Sequence, residues 1–120
     1  MTNVLIVEST FALAQLWCRH LERQGAHVTV AVSADEAVDM IAAVRFDVIV
    51  LDLVLSDGSA LAVSDFAEYR QPGTNVIFVT DTTFFSDGSI FNIAMNARAL
   101  LQKNTKPEDL AAMVEYYGAA

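Results

Sequence analysis

Residues 48–59 read VIVLDLVLSDGS, in which the apolar run 48–55 is interrupted once, by Asp52. The β-branched and aliphatic residues around Asp52 do not alternate with polar ones, which is typical of a strand covered on both faces in a parallel sheet. A carboxylate at this position loses hydration, and burying its charge is costly unless another group pairs with it. The stretch therefore predicts a buried parallel strand that carries a partnered carboxylate.

The rest of the chain alternates between strand-like and helix-like segments. The predicted strands are Asn3–Glu8, His27–Val32, Asp47–Leu53, Asn75–Thr80 and Ala97–Gln102. The predicted helices are Thr10–Gln24, Ser33–Val44, Ser59–Arg70, Ser86–Asn96 and a last helix capped at 105–108 that runs to Tyr117. Because strand–helix–strand connections cross over right-handedly, this order predicts one (βα)5 α/β domain over residues 1–120, an open parallel sheet with helices on both faces.

Composition excludes several classes of protein. Apolar residues make up 54% of the 120 residues, which excludes a disordered chain, and the most apolar stretch is broken by Asp52, which excludes a membrane span. The net charge of −8 repels phosphate backbones, so we expect no nucleic-acid partner. The one cysteine, Cys18, excludes an intramolecular disulfide, and the N-terminus does not resemble a signal peptide. We expect a cytoplasmic protein without a membrane partner.

Functional side chains of such sheets gather at the carboxyl ends of the strands. The first strand ends in Glu8-Ser9, the third carries Asp52, the fourth ends in Thr80-Asp81, and the fifth reaches Lys103. One interpretation of Asp52 is a structural ion pair with Lys103. Because the whole set lies at the edge that α/β proteins use for chemistry, we favour a functional site.

Two other kinds of site are disfavoured. A flavin-phosphate loop after the first strand would need glycine, whereas the chain has Glu8-Ser9-Thr10-Phe11 there. His20 and His27 lie on different predicted elements without a cysteine partner, which disfavours a zinc site.

This set of residues resembles the receiver domain of two-component response regulators over essentially the whole chain. The resemblance depends on NVLIVE at 3–8, VIVLDLVLSDGSALAV at 48–63, NVIFVT at 75–80 and LLQK at 100–103. It implies a flavodoxin-like, doubly wound five-stranded sheet with strand order 2-1-3-4-5.

The resemblance implies a phosphoacceptor switch rather than an enzyme. Asp52 would accept a phosphoryl group from a histidine kinase or phosphotransfer protein, with Thr80 as the switch hydroxyl and Lys103 pairing with the phosphate. Mg²⁺ would be held by Glu8, Asp52 and the backbone carbonyl of Val54. The chain would hydrolyse its own phosphoaspartate slowly, because Val54 has no polar group to orient water.

Three of the departures from the family pattern bear on function. Ser9 stands where a second acidic metal ligand is expected, so we expect weak Mg²⁺ binding, with Ser9 and Asp81 as further candidate ligands. Asp81 follows Thr80 where a small residue is usual, so it would repel phosphate unless it helps to hold the cation. Leu100 replaces the switch aromatic. The alternative function is therefore a pseudo-receiver, a protein-interaction module that acts without phosphorylation.

The segment from residue 82 to residue 97 carries Asp87 as its one charged residue. The spacing of Ile90, Ile93 and Met95 predicts that these residues pack on the sheet, which leaves Phe84, Phe85 or Phe91 at the surface beside Tyr116 and Tyr117. In the family, the fourth helix, fifth strand and fifth helix form the usual contact surface. We therefore expect a homodimer or an output partner there, bound through an apolar contact.

Overall fold

The computed structural model describes residues 1–81 and 89–119. Its strands are β1 (Asn3–Val7), β2 (His27–Ala31), β3 (Val48–Asp52), β4 (Asn75–Thr80) and β5 (Ala97–Gln102), and its helices are α1 (Phe11–Arg23), α2 (Ala34–Ala43), α3 (Ala60–Arg70), α4 (Ile90–Ile93) and α5 (Pro107–Gly118). The strands form one parallel sheet in the order β2-β1-β3-β4-β5. The predicted α/β fold and strand order are confirmed. No helix within the described ranges is long and apolar enough to cross a membrane.

Two apolar clusters cover the two faces of the sheet. On one face, alternate residues of β1, β3 and β4 pack with α2, α3 and Ile90 of α4. On the other face, the intervening residues pack with α1 and α5, where Trp17 is the largest buried side chain. All five residues of β3 are buried, because this central strand has neighbours on both sides and helices on both faces. Asp52 therefore ends the best-protected strand.

The helices begin where side chains cap them. The Ser33 hydroxyl accepts a hydrogen bond from the Glu36 N–H, as in a capping box, and the Ser59 hydroxyl accepts one from the Ala62 N–H. The Glu36 carboxylate accepts from the N–H of Val32 rather than from that of Ser33, so the reciprocal bond is made one residue earlier. Because caps lie outside the helices, α2 and α3 start one residue after their predicted first residues.

The fourth helix differs from its prediction of Ser86–Asn96. Residues 86–88 lie outside the described residues, and the described helix, α4, ends at Ile93. The chain cannot stay helical to Asn96, because the buried Asn96 side chain bonds Ser64 of α3 and its carbonyl accepts the N–H of Val76. In so short a helix only Ile90 faces the sheet. The expectation that Ile93 and Met95 pack on the sheet is therefore wrong, since both are exposed.

A buried glutamine connects the ends of α2 and α3 with the start of β3. The Gln71 amide donates to the carbonyls of Ile41 (2.7 Å) and Val44, and its oxygen accepts from the Phe46 N–H (2.9 Å) and the Thr74 hydroxyl (3.1 Å). These bonds hold the amino-terminal end of β3, opposite Asp52.

The last strand pairs with β4 through a shifted register. Val76 lies opposite Ala97 and Ile77 lies opposite Ala99, so Arg98 is an extra, exposed residue in β5. Its Nε donates to Asn75 Oδ1 at 2.8 Å.

Candidate functional site

Three charged side chains meet where β1, β3 and β5 end. Lys103 Nζ lies 2.7 Å from Asp52 Oδ2 and 3.1 Å from Glu8 Oε1. The carboxylates follow neighbouring strands, since Val7 pairs with Leu51 in the sheet, and both are buried: Glu8 is 0% exposed and Asp52 is 1% exposed. The predicted convergence of Glu8, Asp52 and Lys103 is therefore what the structure shows.

Backbone amides fix both carboxylates. The Val54 N–H donates to Asp52 Oδ1 (3.0 Å), and the Thr10 N–H donates to Glu8 Oε2 (3.0 Å). Asp52 thus has one oxygen on the backbone and the other on Lys103. Glu8 differs, because Lys103 Nζ has hydrogen-bond geometry only towards its Oε2 (3.3 Å). Within the described residues Glu8 Oε1 accepts no hydrogen bond, although it is buried.

The pKa of Lys103 lies above its ordinary value. Partial burial acts to lower this pKa, but the hydrogen bonds to Asp52 and Glu8 and their negative charges raise it by more. The ammonium is therefore firmly protonated at neutral pH. With two carboxylates and one ammonium, the site keeps an excess negative charge.

The other predicted site residues lie around this group. Thr80 ends β4 and is buried, and its carbonyl accepts the Lys103 N–H at 2.9 Å. Ser9 and Asp81 are exposed, and Asp81 lines a shallow surface depression with Gln102, Lys103 and Asn104. Leu100 is partly buried against the α2–α3–α4 cluster.

The oxygen atoms present fit a hard cation such as Mg²⁺. Glu8 and Asp52 supply carboxylate oxygens, the Val54 backbone lies against Asp52, and Glu8 Oε1 is a buried acceptor without a hydrogen bond among the described residues. The same part of the chain contains no group of three or more His, Cys, Asp or Glu side chains that could hold a metal ion. The set of carboxylates is therefore small, as expected from serine at position 9.

Sequence reasoning missed one contact next to the site. In the stretch 56–59, Ser59 caps α3. The Asp57 carboxylate accepts the N–H groups of Ala34 (2.8 Å) and Asp35 (3.2 Å) at the start of α2. No local pattern indicates this contact, because the partners lie more than 20 residues apart in the sequence.

Comparison with known proteins finds a family model and solved structures that are similar to this chain. A family model described as "Response regulator receiver domain" matches residues 4–115. Similar solved structures include a CheY-like receiver domain protein from Methanospirillum hungatei (26% identity, TM-score 0.88, covering 97% of this chain and 92% of that one). A Burkholderia pseudomallei response regulator solved with a phosphorylated aspartic acid and a calcium ion is 24% identical (TM-score 0.82, 97% and 72%).

A third similar structure is TrrA from Thermotoga maritima in complex with Mg²⁺ and BeF (18% identity, TM-score 0.84, covering 98% of this chain and 99% of that one). None of the curated proteins matches the chain.

Proposed function

Because the chain belongs to the response regulator receiver domain family, we propose that it is a phosphoacceptor switch of two-component signalling, phosphorylated on Asp52 by a histidine kinase or phosphotransfer protein. The observation that carries the proposal is the state of Asp52, a buried carboxylate held between the Val54 N–H and the Lys103 ammonium at the carboxyl end of the central strand. We also propose that the protein is located in the cytoplasm.

Phosphoryl transfer needs positioning and charge neutralisation more than covalent help from the protein. An oxygen of Asp52 forms a bond to phosphorus while the bond between phosphorus and the donor imidazole nitrogen breaks. Lys103, already 2.7 Å from Asp52, pairs with the new phosphoryl oxygens, and the hydroxyl of Thr80 on the neighbouring strand serves as their further donor.

Glu8, Asp52 and the Val54 carbonyl would hold Mg²⁺, with Ser9 and Asp81 as candidates for outer contacts. A bound Mg²⁺ supplies positive charge that offsets the charge on the phosphoryl oxygens. The similar proteins solved with calcium beside a phosphorylated aspartic acid and with Mg²⁺ and BeF support this part of the proposal. With two buried carboxylates instead of a larger set, we expect the affinity to be low.

The proposal is tested by mass measurement after incubation with phosphoramidate and Mg²⁺. The wild type should gain one phosphoryl group, whereas Asp52→Asn should gain none. Asp65→Asn, which removes an exposed carboxylate from α3, is the matched control and should behave as the wild type. A wild type that gains no mass, or an Asp52→Asn variant that gains as much as the wild type, would contradict the proposal.

The second candidate function is a pseudo-receiver that binds a partner without phosphorylation. The observation in its favour is that Lys103 already pairs with both buried carboxylates, while Ser9 adds no third one. A wild type that stays unmodified and still binds its partner would favour this function.

For either function we propose the same contact surface. Phe91 and Ile93 of α4, Met95 after it and Tyr116 of α5 are 45%, 52%, 80% and 71% exposed. We call these four residues the α4–α5 patch. Phe84 and Phe85, also expected at this surface, lie outside the described residues. Tyr117 is half-buried, with its ring edge-on to that of Tyr116. The proposed occupant is a second copy of this chain or an output partner.

A further inference from the structure

The loop between β3 and α3, residues 53–59, makes hydrogen bonds to the rest of the molecule at two places. Next to β3, the Leu53 N–H donates to the Val79 carbonyl (2.9 Å), and within the loop Val54 and Ser59 form an isolated antiparallel bridge. Between these two residues, both carboxylate oxygens of Asp57 accept N–H groups from Ala34 and Asp35. The middle of the loop is therefore hydrogen-bonded to α2 and not to α3, the helix that follows the loop.

The contact between the loop and α2 is close as well as polar. A Cβ atom at Gly58 would lie 3.1 Å from Cβ of Ala34, which is tighter than ordinary van der Waals contact. The small residues at both positions let the backbone of the loop approach α2 near enough for Asp57 to reach the two amides. The negative charge of Asp57 also lies at the positive end of the α2 dipole, which strengthens both bonds.

One residue of the 53–59 loop, Val54, is hydrogen-bonded to the proposed phosphoacceptor Asp52. Val54 lies three residues before Asp57, and its N–H holds Asp52 Oδ1 at 3.0 Å. The Val54 side chain is 58% exposed and is not among the residues of the core clusters, so side-chain packing does little to hold this residue. The Val54 amide is held instead by its neighbours Leu53 and Leu55, which pack against the core, and by the hydrogen bonds of the loop.

We infer that Asp57 is a positioning residue for Asp52. By binding the Ala34 and Asp35 amides, it holds the 53–59 loop so that the Val54 N–H keeps its hydrogen bond to Asp52. Asp57 touches none of the reacting atoms and acts through Val54. The inference deepens the proposed function and rests on it only for its effect on phosphoryl transfer.

The test is amide hydrogen exchange by NMR on the full chain, which needs no phosphorylation. In Asp57→Ala, exchange at Ala34 and Asp35 should accelerate by roughly fivefold or more, as expected for loss of a helix cap, and exchange at Val54 should accelerate with it. Asp57→Asn, which keeps one acceptor oxygen and loses the charge, should give a smaller acceleration at the same three amides. It also serves as the second variant if Asp57→Ala folds poorly.

The matched control is Ser33→Ala, which removes a cap from the same helix without touching the loop. Its exchange should accelerate at Glu36, the partner of the Ser33 hydroxyl, and stay as in the wild type at Val54. An unchanged Val54 amide in both Asp57 variants would overturn the inference, since Asp57 would then only cap α2. Equal acceleration at Val54 in Ser33→Ala would overturn it as well, because the effect would come from the stability of α2.

A second measurement connects the inference to function. The rate of phosphorylation by phosphoramidate with Mg²⁺ should fall severalfold in Asp57→Ala and stay at the wild-type value in Ser33→Ala. A wild-type rate in Asp57→Ala would overturn the role in transfer. If the wild type itself is not phosphorylated, the proposed function fails, whereas the exchange at Val54 still decides whether Asp57 positions the loop.

Discussion

Lys103 shares its positive charge between two buried carboxylates, at 2.7 Å from Asp52 and 3.1 Å from Glu8. Removing one partner of such a group leaves a buried charge uncompensated, which is costlier than never having buried it. The lysine is therefore a structural requirement of the unmodified site as well as a proposed partner of the phosphoryl group.

The raised pKa of Lys103 predicts a loss of stability in strongly alkaline solution. A group whose pKa is higher in the folded state contributes its full stabilisation below its unfolded value, here 10.5, and loses it as the pH rises through the folded value. Urea denaturation of the wild type should therefore show this contribution below pH 10.5 and its decline above. Lys103→Gln should be less stable by about 3 kcal/mol at pH 8 and should lack this decline.

Lys106→Gln is the control for that comparison, because Lys106 is exposed and precedes α5. It should keep the alkaline decline of the wild type. A Lys103→Gln variant with the same alkaline profile as the wild type would refute this role of Lys103.

Position 9 decides the charge of the proposed metal site. Ser9→Asp adds a third carboxylate next to Glu8, so mutual repulsion increases and a divalent cation should relieve more of it. We expect tighter Mg²⁺ binding by calorimetric titration, by roughly tenfold for one further charged ligand. Ser56→Asp, which adds the same charge elsewhere in the loops, should change the affinity less. An unchanged affinity in Ser9→Asp would mean that position 9 is not a metal position.

Val54 is expected to prolong the lifetime of the proposed phosphoaspartate. Its exposed apolar side chain offers no hydrogen bond to a hydrolytic water, whereas an amide could orient one. Val54→Asn should therefore lose the phosphoryl group faster, by roughly tenfold, when decay is followed by mass or phosphate release. Val54→Ala, which is equally apolar, should keep the slow decay. A decay rate in Val54→Asn equal to or below that of the wild type would contradict this role.

At the scale of the elements, the sequence predicts all five strands to within about a residue at each end. Their signal is local, because β-branched runs such as 48–51 and 75–79 bury both faces. The end of α4 was not predictable, because it depends on Asn96 bonding to Ser64 of a distant helix. Local periodicity carries no information about such a partner.

In the candidate site, too, some residues were predictable from the sequence and others were not. Glu8, Asp52 and Lys103 were predictable, because parallel strands bring their carboxyl ends to one edge of the sheet. Asp57 and Gln71 were not predicted, since the amides and carbonyls that they bind belong to backbone 22 to 30 residues away. The local sequence around these two residues does not distinguish them from any other polar residue in a loop or at a helix end.

Gln71, which lies far from the candidate site, is expected to contribute to the free energy of unfolding. Gln71→Ala removes the acceptor of the Phe46 N–H and the donor to the Ile41 carbonyl, both in buried surroundings. We expect the free energy of unfolding to fall by about 3 kcal/mol in urea denaturation, since each buried group without a partner costs about 1–3 kcal/mol. Gln24→Ala, which breaks one partly buried bond to Ala111, should cost about 1 kcal/mol. Equal losses in the two variants would refute the special role of Gln71.

At the scale of the whole molecule, the α4–α5 patch predicts self-association. Four exposed apolar side chains, on α4, just after it and on α5, in a chain with net charge −8 favour a contact that excludes water rather than one that pairs charges. Sedimentation should show a dimer at high protein concentration that depends little on salt. Its dependence on phosphorylation should also be modest, because Leu100 replaces the switch aromatic. Phe91→Asp and Tyr116→Asp should shift the chain to the monomer.

Tyr69→Asp is the matched control, because Tyr69 is 82% exposed on α3 and does not belong to the patch. It should sediment as the wild type. A wild type that stays monomeric and loses no partner on either patch substitution would mean that the patch is not an interface.

The extra residue in β5, Arg98, affects the tendency of the protein to aggregate at high concentration. An outermost strand carries backbone groups that a strand of another chain can bond, and this is how sheets grow into insoluble aggregates. Arg98 interrupts the regular spacing of β5 and places an exposed charge at this border. A bulge and a charge are both features that discourage a foreign strand from adding on. The parallel sheet therefore ends at β5 in a form that favours solubility over continued growth.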